Sequence, residues 1–286
     1  MFVPRKILEE KLAKLLEEDI GQGDVTSDAI APADCTAEAE VIAKSDGIAA
    51  GIEEAAVLAE VFGLQVETEV KDGEKIKNDQ TLLTLSGDAR TILTIERTLL
   101  NLLSRMSGIA TTTENLVEKI KKAHLKTRIA ATRKSAPGLM FFDKKAVIMG
   151  GGDTHRLHLD DMILIKDNHI VVAGSLENAI KAANKKASFT KKIEVEVTSV
   201  EDALNAAELG ADIIMLDNFS LGKIKEAVAM LKKSGSAEKI LLEASGGINS
   251  ENLLDYAATG VDIISMGELT HSVKALDISL EIIKAG

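Results

Sequence analysis

Cysteine, tryptophan, tyrosine and positive charge are the scarce features of this 286-residue chain. One cysteine, Cys35, excludes an intramolecular disulfide and a cysteine-rich zinc site, and it fits a reducing compartment. Tyr256 is the only tyrosine and tryptophan is absent, so stacking platforms for bases are nearly lacking. With aromatics at 2%, the core has to be aliphatic. Lys and Arg number 34 against 45 Asp and Glu, a formal net charge of −11. A field of that sign repels nucleic-acid backbones and no basic block offers a local exception, so no nucleic-acid partner is expected. No apolar run approaches the roughly 18–20 residues of a membrane span. The stretch Lys6-Ile7-Leu8-Glu9-Glu10-Lys11-Leu12 mixes acid and base where a signal peptide carries an apolar segment. A cytoplasmic protein with no membrane partner is the expectation. What is present, 45% hydrophobic and 28% charged residues, excludes disorder and suffices for one large domain or two moderate ones.

Ile7, Leu8, Leu12, Leu15 and Leu16 follow a 3.6-residue period and predict an amphipathic helix. From Val41 to Gly87, short runs broken by Asp46-Gly47, Asp72-Gly73 and Ser86-Gly87, with Val66, Thr68 and Val70 alternating with acids, predict half-buried antiparallel strands in a small α+β unit. A helix over 91–106 buries Ile92, Ile95, Leu99, Leu102, Leu103 and Met106, and lines up Arg97, Asn101 and Arg105 on its other side, a column that a solvated face would also explain. After Gly108 the rhythm becomes repeated βα, with strands over 128–131, 162–165, 193–197, 212–216, 240–242 and 262–266. Such alternation implies a parallel sheet, open or closed into a barrel.

The reactive side chains fall at the ends of those strands: Thr132-Arg133-Lys134, Lys166-Asp167-Asn168-His169, Glu194 and Glu196, Asp217-Asn218, Glu243 to Gly247, and Ser265-Met266-Gly267-Glu268. Parallel barrels collect their active-site groups on that face. Arg133 and Lys134 before the Pro137-Gly138 turn suit an anion. His155 and His158 could ligate zinc only with generic help, so an anion site using Arg156, with His155 as donor, is preferred. Lys166, leaving a buried strand, either binds an anion or forms a Schiff base. Glu196 and Asp217 end successive strands and suit Mg²⁺ shared with a polyphosphate, or are simply satisfied by lysines; Glu194 has the same parity as Glu196, and which contributes more stays open. Ser245-Gly246-Gly247 and Ser265-Met266-Gly267 lead from strand to helix with free N–H groups, as phosphate sites of the last two barrel loops do.

These residues, together with Glu18-Asp19, Gly23-Asp24-Val25-Thr26, Glu96-Arg97-Thr98, Gly150-Gly151-Gly152 with His155-Arg156, Glu194 to Val197 and Met215 to Asn218, run in order along nearly the whole chain. The set closely resembles quinolinate phosphoribosyltransferase, the decarboxylating enzyme of NAD biosynthesis. The resemblance implies an α/β protein: an N-terminal α/β sandwich domain over 1–108, joined by segment 272–286, and an open or irregular β/α barrel over 109–271. It implies quinolinate and phosphoribosyl pyrophosphate as substrates, Mg²⁺ as cofactor, and a homodimer with a shared site that Arg97 enters from the neighbouring subunit.

By the same resemblance Arg133, Lys134, His155, Arg156 and Lys166, with Thr132, line the quinolinate and phosphate pocket. Glu196 and Asp217 take the ribose and Mg²⁺ side, and the Ser245 and Ser265 loops take the 5′-phosphate. Lys134, Lys166, Glu196 and Asp217 are the catalytic candidates. Ala131 stands where the family usually has aspartate, Ser135-Ala136 replaces threonines, and Met140 stands where an arginine is common, so one anion contact is expected to weaken. Competing readings are a phosphoribosyltransferase for nicotinate or another pyridine-like acid, a Lys166 Schiff-base aldolase, and a non-catalytic anion-binding relative, which would not need Glu196 and Asp217.

Overall fold

The structure, a computed structural model, describes residues 3–235 and 240–286. In chain order its elements are α1 (Arg5–Ile20), α2 (Val25–Ile30), β1 (Thr36–Ala43), β2 (Gly47–Ile48), α3 (Ile52–Val61), β3 (Gln65–Thr68), β4 (Lys75–Ile76), β5 (Thr81–Asp88), α4 (Ala89–Lys122), β6 (Arg128–Ala130), α5 (Met140–Met149) and β7 (Ile163–Ile165). They continue with α6 (Asp167–Ala173), α7 (Leu176–Lys186), β8 (Ile193–Val197), α8 (Val200–Glu208), β9 (Ile213–Asp217), α9 (Leu221–Lys233), β10 (Leu241–Ser245), α10 (Leu253–Ala257), β11 (Ile263–Ser265), α11 (Glu268–His271) and β12 (Ile278–Ala285). The chain divides into one unit of residues 1–114, 145–151 and 273–286 and a second of 115–144 and 152–272.

In the first unit an antiparallel sheet runs in the order β12-β1-β5-β3. Strand β1 alternates, burying Ala37, Ala39, Val41 and Ala43 while Glu38 and Glu40 turn outward, as a sheet covered on one face requires. Helix α1 buries Leu8, Leu12 and Leu16, the i, i+4, i+8 stripe, and lies against α3. The expected helix over 91–106 is far longer than the pattern indicates, running unbroken through Gly108 to Lys122. Gly108 is required for contact rather than for a turn: a Cβ there would stand 2.1 Å from the Lys274 carbonyl. Thr111 and Thr113 return their hydroxyls to the Ser107 and Ile109 carbonyls within the helix, so both are satisfied in place.

The second unit holds six parallel strands in the order β6-β11-β10-β9-β8-β7, with no pairing between β6 and β7. A single bridge from Ala130 to Asp153 extends the sheet beyond β6, so the barrel is open. Strand parity sorts its side chains. Ile129, Val195, Val197, Ile214, Leu216, Leu242, Ala244 and Ile264 pack outward in one buried aliphatic core beneath the helices. The alternate positions, Glu194, Glu196, Asp217, Glu243, Ser245 and Ser265, turn inward. Strand β10 extends to Ser245, three residues past the expected end at Leu242, its parallel ladder with β9 continuing until Ser245 stands opposite Asp217.

Candidate active site

At the C-terminal ends of the strands Nζ of Lys166 lies 3.3 Å from Oε2 of Glu196. Asp217, on the next strand and the same face, accepts the Asn218 side-chain amide at 2.6 Å. Asn218 stands in the left-handed region at φ +55°, and its N–H donates to the Ser245 carbonyl at 2.8 Å. Gly246 passes so close that a Cβ would lie 2.2 Å from Asn218 Oδ1, and its φ of +99° excludes other residues as well. Ser265 is buried with its hydroxyl unpartnered among the described residues. Lys134 reaches this rim too: a Cβ on Gly267 would meet its side chain at 3.3 Å, and Thr270 Oγ1 donates to the Lys134 carbonyl at 2.6 Å. Thr132 Oγ1 accepts the Lys134 N–H at 3.1 Å, shaping the loop that carries Arg133.

His155 and Arg156 come from the segment after the Gly150-Gly151-Gly152 run. Gly150 is forced by packing, since a Cβ would sit 2.3 Å from the Ala110 carbonyl. The segment is fixed by Asp153, whose N–H donates to the Ile129 carbonyl and whose carboxylate accepts the His155 N–H at 2.9 Å. Buried Lys144 donates its ammonium to the Thr154 carbonyl. His155 is left-handed at φ +52°, a conformation that costs a bulky residue about 1–3 kcal/mol and is held only where the surroundings fix it. Its Nε2 lies 3.2 Å from Glu194 and 3.2 Å from Glu243, both wholly buried. Burial lowers the ring's proton affinity, but hydrogen bonding and charge from the two glutamates prevail and raise its pKa to about 10. Burial in turn pushes Glu194 up.

Burial lowers the Arg156 pKa and the nearby Arg133 guanidinium lowers it further, with Glu194 and Asp161 opposing. Two cations that destabilise each other in this way form a place for an anion. Not every expected residue gathers at one wall. His155 and Arg156 line a cavity of about 590 Å³ whose other walls include the strand-start residues Arg128, Ile213, Leu241 and Ile263; Arg133, Lys134, Lys166, Glu196 and Asp217 are not among its lining. Arg97 lies in the first unit, its side chain 64% exposed, 3.7 Å from Glu96. Sequence reasoning left Lys144 and Thr270 out of the site, and named Glu243 among the strand-end residues without giving it a role. Glu243 carries a signal, a charge inside an aliphatic strand two residues before a loop serine, as Glu194 precedes Glu196. Lys144 and Thr270 carry none.

Glu196 and Asp217 can hold a hard divalent cation. Their oxygens come from adjacent strands on one face, and both residues are half-buried, which suits an ion that keeps water and takes phosphate oxygens.

Comparison with known proteins joins these observations to a family. Residues 24–107 match the model of the quinolinate phosphoribosyl transferase N-terminal domain, and residues 109–281 match that of its C-terminal domain. A probable nicotinate-nucleotide pyrophosphorylase (carboxylating) of Methanothermobacter thermautotrophicus is 44% identical over 95% of this chain and 97% of its own. A nicotinate-nucleotide pyrophosphorylase (carboxylating) of Mycobacterium leprae is 42% identical over 96% of each. Among solved structures, the nicotinate-nucleotide pyrophosphorylase from Francisella tularensis superposes with a TM-score of 0.87 at 37% identity, over 98% of this chain and 97% of that one. With both domain models matched in order and relatives aligned almost end to end, the chain belongs to the quinolinate phosphoribosyltransferase family of enzymes.

Proposed function

We propose that this enzyme transfers the phosphoribosyl group of phosphoribosyl pyrophosphate to the ring nitrogen of quinolinate, with loss of CO2, giving nicotinate mononucleotide and pyrophosphate for NAD biosynthesis. The observation that carries the reading is the rim of alternating charge at the strand ends: Lys166 against Glu196, Asp217 beside the Ser245-Gly246-Gly247 loop, and Lys134 over Gly267. A doubly anionic acid and a polyphosphate both need cations, and a chain of net −11 has to concentrate them locally.

Glu196 and Asp217 would hold Mg²⁺, which when bound neutralises charge on the leaving pyrophosphate. Positive charge develops at the ribose C1 as its bond to pyrophosphate lengthens, and the same two carboxylates favour that charge. The Ser245 and Ser265 loops hold the 5′-phosphate with backbone N–H groups and hydroxyls. Arg133, Arg156 and Lys166 hold the carboxylates of quinolinate so that its nitrogen faces C1; the lone pair forms the C–N bond and pyrophosphate departs with the C1–O pair. The ring is then a pyridinium, and the bond to the adjacent carboxylate breaks with its electrons left at the ring carbon, where the positive nitrogen stabilises them. CO2 leaves and a proton, from Lys134 or Lys166 or from water, takes its place. The site acts as a homodimer, with Arg97 supplied by the neighbouring subunit, in the cytoplasm.

An assay of CO2, pyrophosphate and mononucleotide release from quinolinate, with and without Mg²⁺, tests the proposal. Equal amounts of the three products, lost on chelation, are expected. Turnover of nicotinate with no CO2 formed from quinolinate would overturn the substrate.

A further inference from the structure

Glu196 and Asp217 are held in unlike ways. Glu196 faces a cation, the Lys166 ammonium at 3.3 Å, whereas the carboxylate of Asp217 meets no cation among the described residues and accepts the neutral carboxamide of Asn218 at 2.6 Å. Asn218 reaches the neighbouring strand as well. Its backbone N–H donates to the carbonyl of Ser245 at 2.8 Å, and Ser245 stands opposite Asp217 in the parallel ladder. Its side-chain oxygen lies against the next residue, since a Cβ on Gly246 would stand 2.2 Å from Oδ1 and 2.6 Å from Cγ. All three approaches are made from a left-handed backbone, φ +55°, which asparagine adopts more readily than most residues. A turn residue would account for that φ and for the backbone bond, but glycine would serve the turn as well. The carboxamide is what remains to be explained, fixed between the acid that ends β9 and the glycine loop that follows β10, and no step of the chemistry above uses it.

We propose that Asn218 is a positioning residue for the phosphoribosyl donor: its carboxamide sets the spacing between the Asp217 carboxylate and the Ser245-Gly246-Gly247 loop, so that one ligand carrying ribose and 5′-phosphate spans both. The need lies in the ligand. Its ribose faces the carboxylate and its phosphate faces the N–H groups of the loop, and the covalent link between them allows neither end to adjust alone. The neutrality of the donor matters too. A lysine or arginine in this place would cancel the charge of Asp217, whereas a carboxamide orients the carboxylate and leaves both its charge and further lone pairs for the ligand. Gly246 is small for the same reason, because any side chain there would push the carboxamide off Asp217. The inference rests on the phosphoribosyl group being the ligand of this rim.

The test uses the whole enzyme and two variants: Asn218→Gly, which keeps the left-handed turn and removes the carboxamide, and Asn218→Asp, which keeps the shape and replaces the donor by an oxygen. Ribose 5-phosphate and inorganic phosphate are titrated calorimetrically, and KM is measured for both substrates. Each variant is expected to bind ribose 5-phosphate about tenfold more weakly, the scale of one misplaced charge-assisted bond, and to bind inorganic phosphate, which needs the loop alone, within about twofold of wild type. KM for phosphoribosyl pyrophosphate should rise in step while KM for quinolinate stays put. Asn218→Asp should be the worse of the two, because it sets a second carboxylate against the first. A merely structural turn would weaken both probes alike. Equal losses for the two probes, or wild-type affinity for ribose 5-phosphate in either variant, overturn the proposal, as does a wild type that does not bind ribose 5-phosphate. Should Asn218→Gly fail to fold, Asn218→Asp decides alone, since aspartate tolerates the same backbone. A wild type that binds ribose 5-phosphate yet releases no CO2 from quinolinate instead overturns the proposed reaction, and the two affinities still judge Asn218.

Discussion

Nζ of Lys166, at the end of β7, lies 3.3 Å from Oε2 of Glu196 at the end of β8. The lysine side chain is 45% exposed, and a pair this open adds no more than about 1 kcal/mol to stability. Function should depend on it far more. Lys166→Met is expected to change the urea-unfolding free energy by less than about 1 kcal/mol, yet to lower kcat/KM for quinolinate by about tenfold to a hundredfold, since a charge-assisted contact to an anion is worth roughly 1.5–3 kcal/mol. A folded variant with wild-type kcat/KM would remove Lys166 from the site.

Lys145 makes the opposite case. It is buried in the first unit, with Nζ 2.8 Å from Glu53, 2.8 Å from Glu54 and 3.0 Å from Asp72. Burial raises the pKa of Glu54 and Lys145 opposes it, so the lysine is what keeps that carboxylate tolerable inside the protein. Lys145→Met is expected to cost about 3–5 kcal/mol in urea unfolding, the scale of an uncompensated buried charge. Adding Glu54→Gln should return part of the loss by removing the stranded charge. Stability unchanged in the single variant would show that the cluster is dispensable.

Lys144, the neighbour of Lys145 in sequence, gives a dependence on pH. Burial depresses its pKa from 10.5 to about 8, with Asp153 opposing and Arg133 adding to the fall. Between those two values the unfolded chain binds a proton that the folded chain does not, so stability rises with pH across this window, by at most about 1.4 kcal/mol per unit. Below about pH 8 both states carry the proton and the slope vanishes. Urea unfolding of wild type and Lys144→Met from pH 7 to 10.5 isolates the contribution, because other groups cancel in the difference. A wild type that loses stability relative to the variant as pH rises would show that the ammonium is favoured by folding.

Much of this site was legible because its chemistry interrupts simple patterns. Lys166, Glu196 and Asp217 stand out as charges closing aliphatic strands, and Gly246 as a small residue where strand turns to helix. Other features leave no local trace. Gly108 looks like a helix end, yet it is a point where the Lys274 carbonyl presses on the helix, a contact made by residues distant in sequence. Which of Glu194 and Glu196 reaches the rim could not follow from parity, which is the same for both. Depth along the strand separates them, Glu194 being sealed inside against His155 and Glu196 reaching the rim beside Lys166. The role of Lys144 depends on the Thr154 carbonyl ten residues away, through a loop whose path no periodicity encodes.

Arg97 is exposed on α4, with Glu96 at 3.7 Å, and a surface arginine needs no partner. The proposed homodimer gives it one: the neighbouring subunit's substrate carboxylate. Arg97→Ala and Lys166→Ala would then each lower activity by about tenfold to a hundredfold while leaving different halves of the site intact. A mixed dimer assembles one site with both native residues and one with neither. After random exchange of an equal mixture, half the dimers are mixed and half of their sites are whole, so activity is expected to return to about one quarter of wild type. The measurement is quinolinate turnover after dissociation and reassociation of differently tagged variants, with exchange verified by co-purification of the tags. Exchange without recovery, or a monomer with full activity, would place Arg97 in its own subunit's service or on the surface alone.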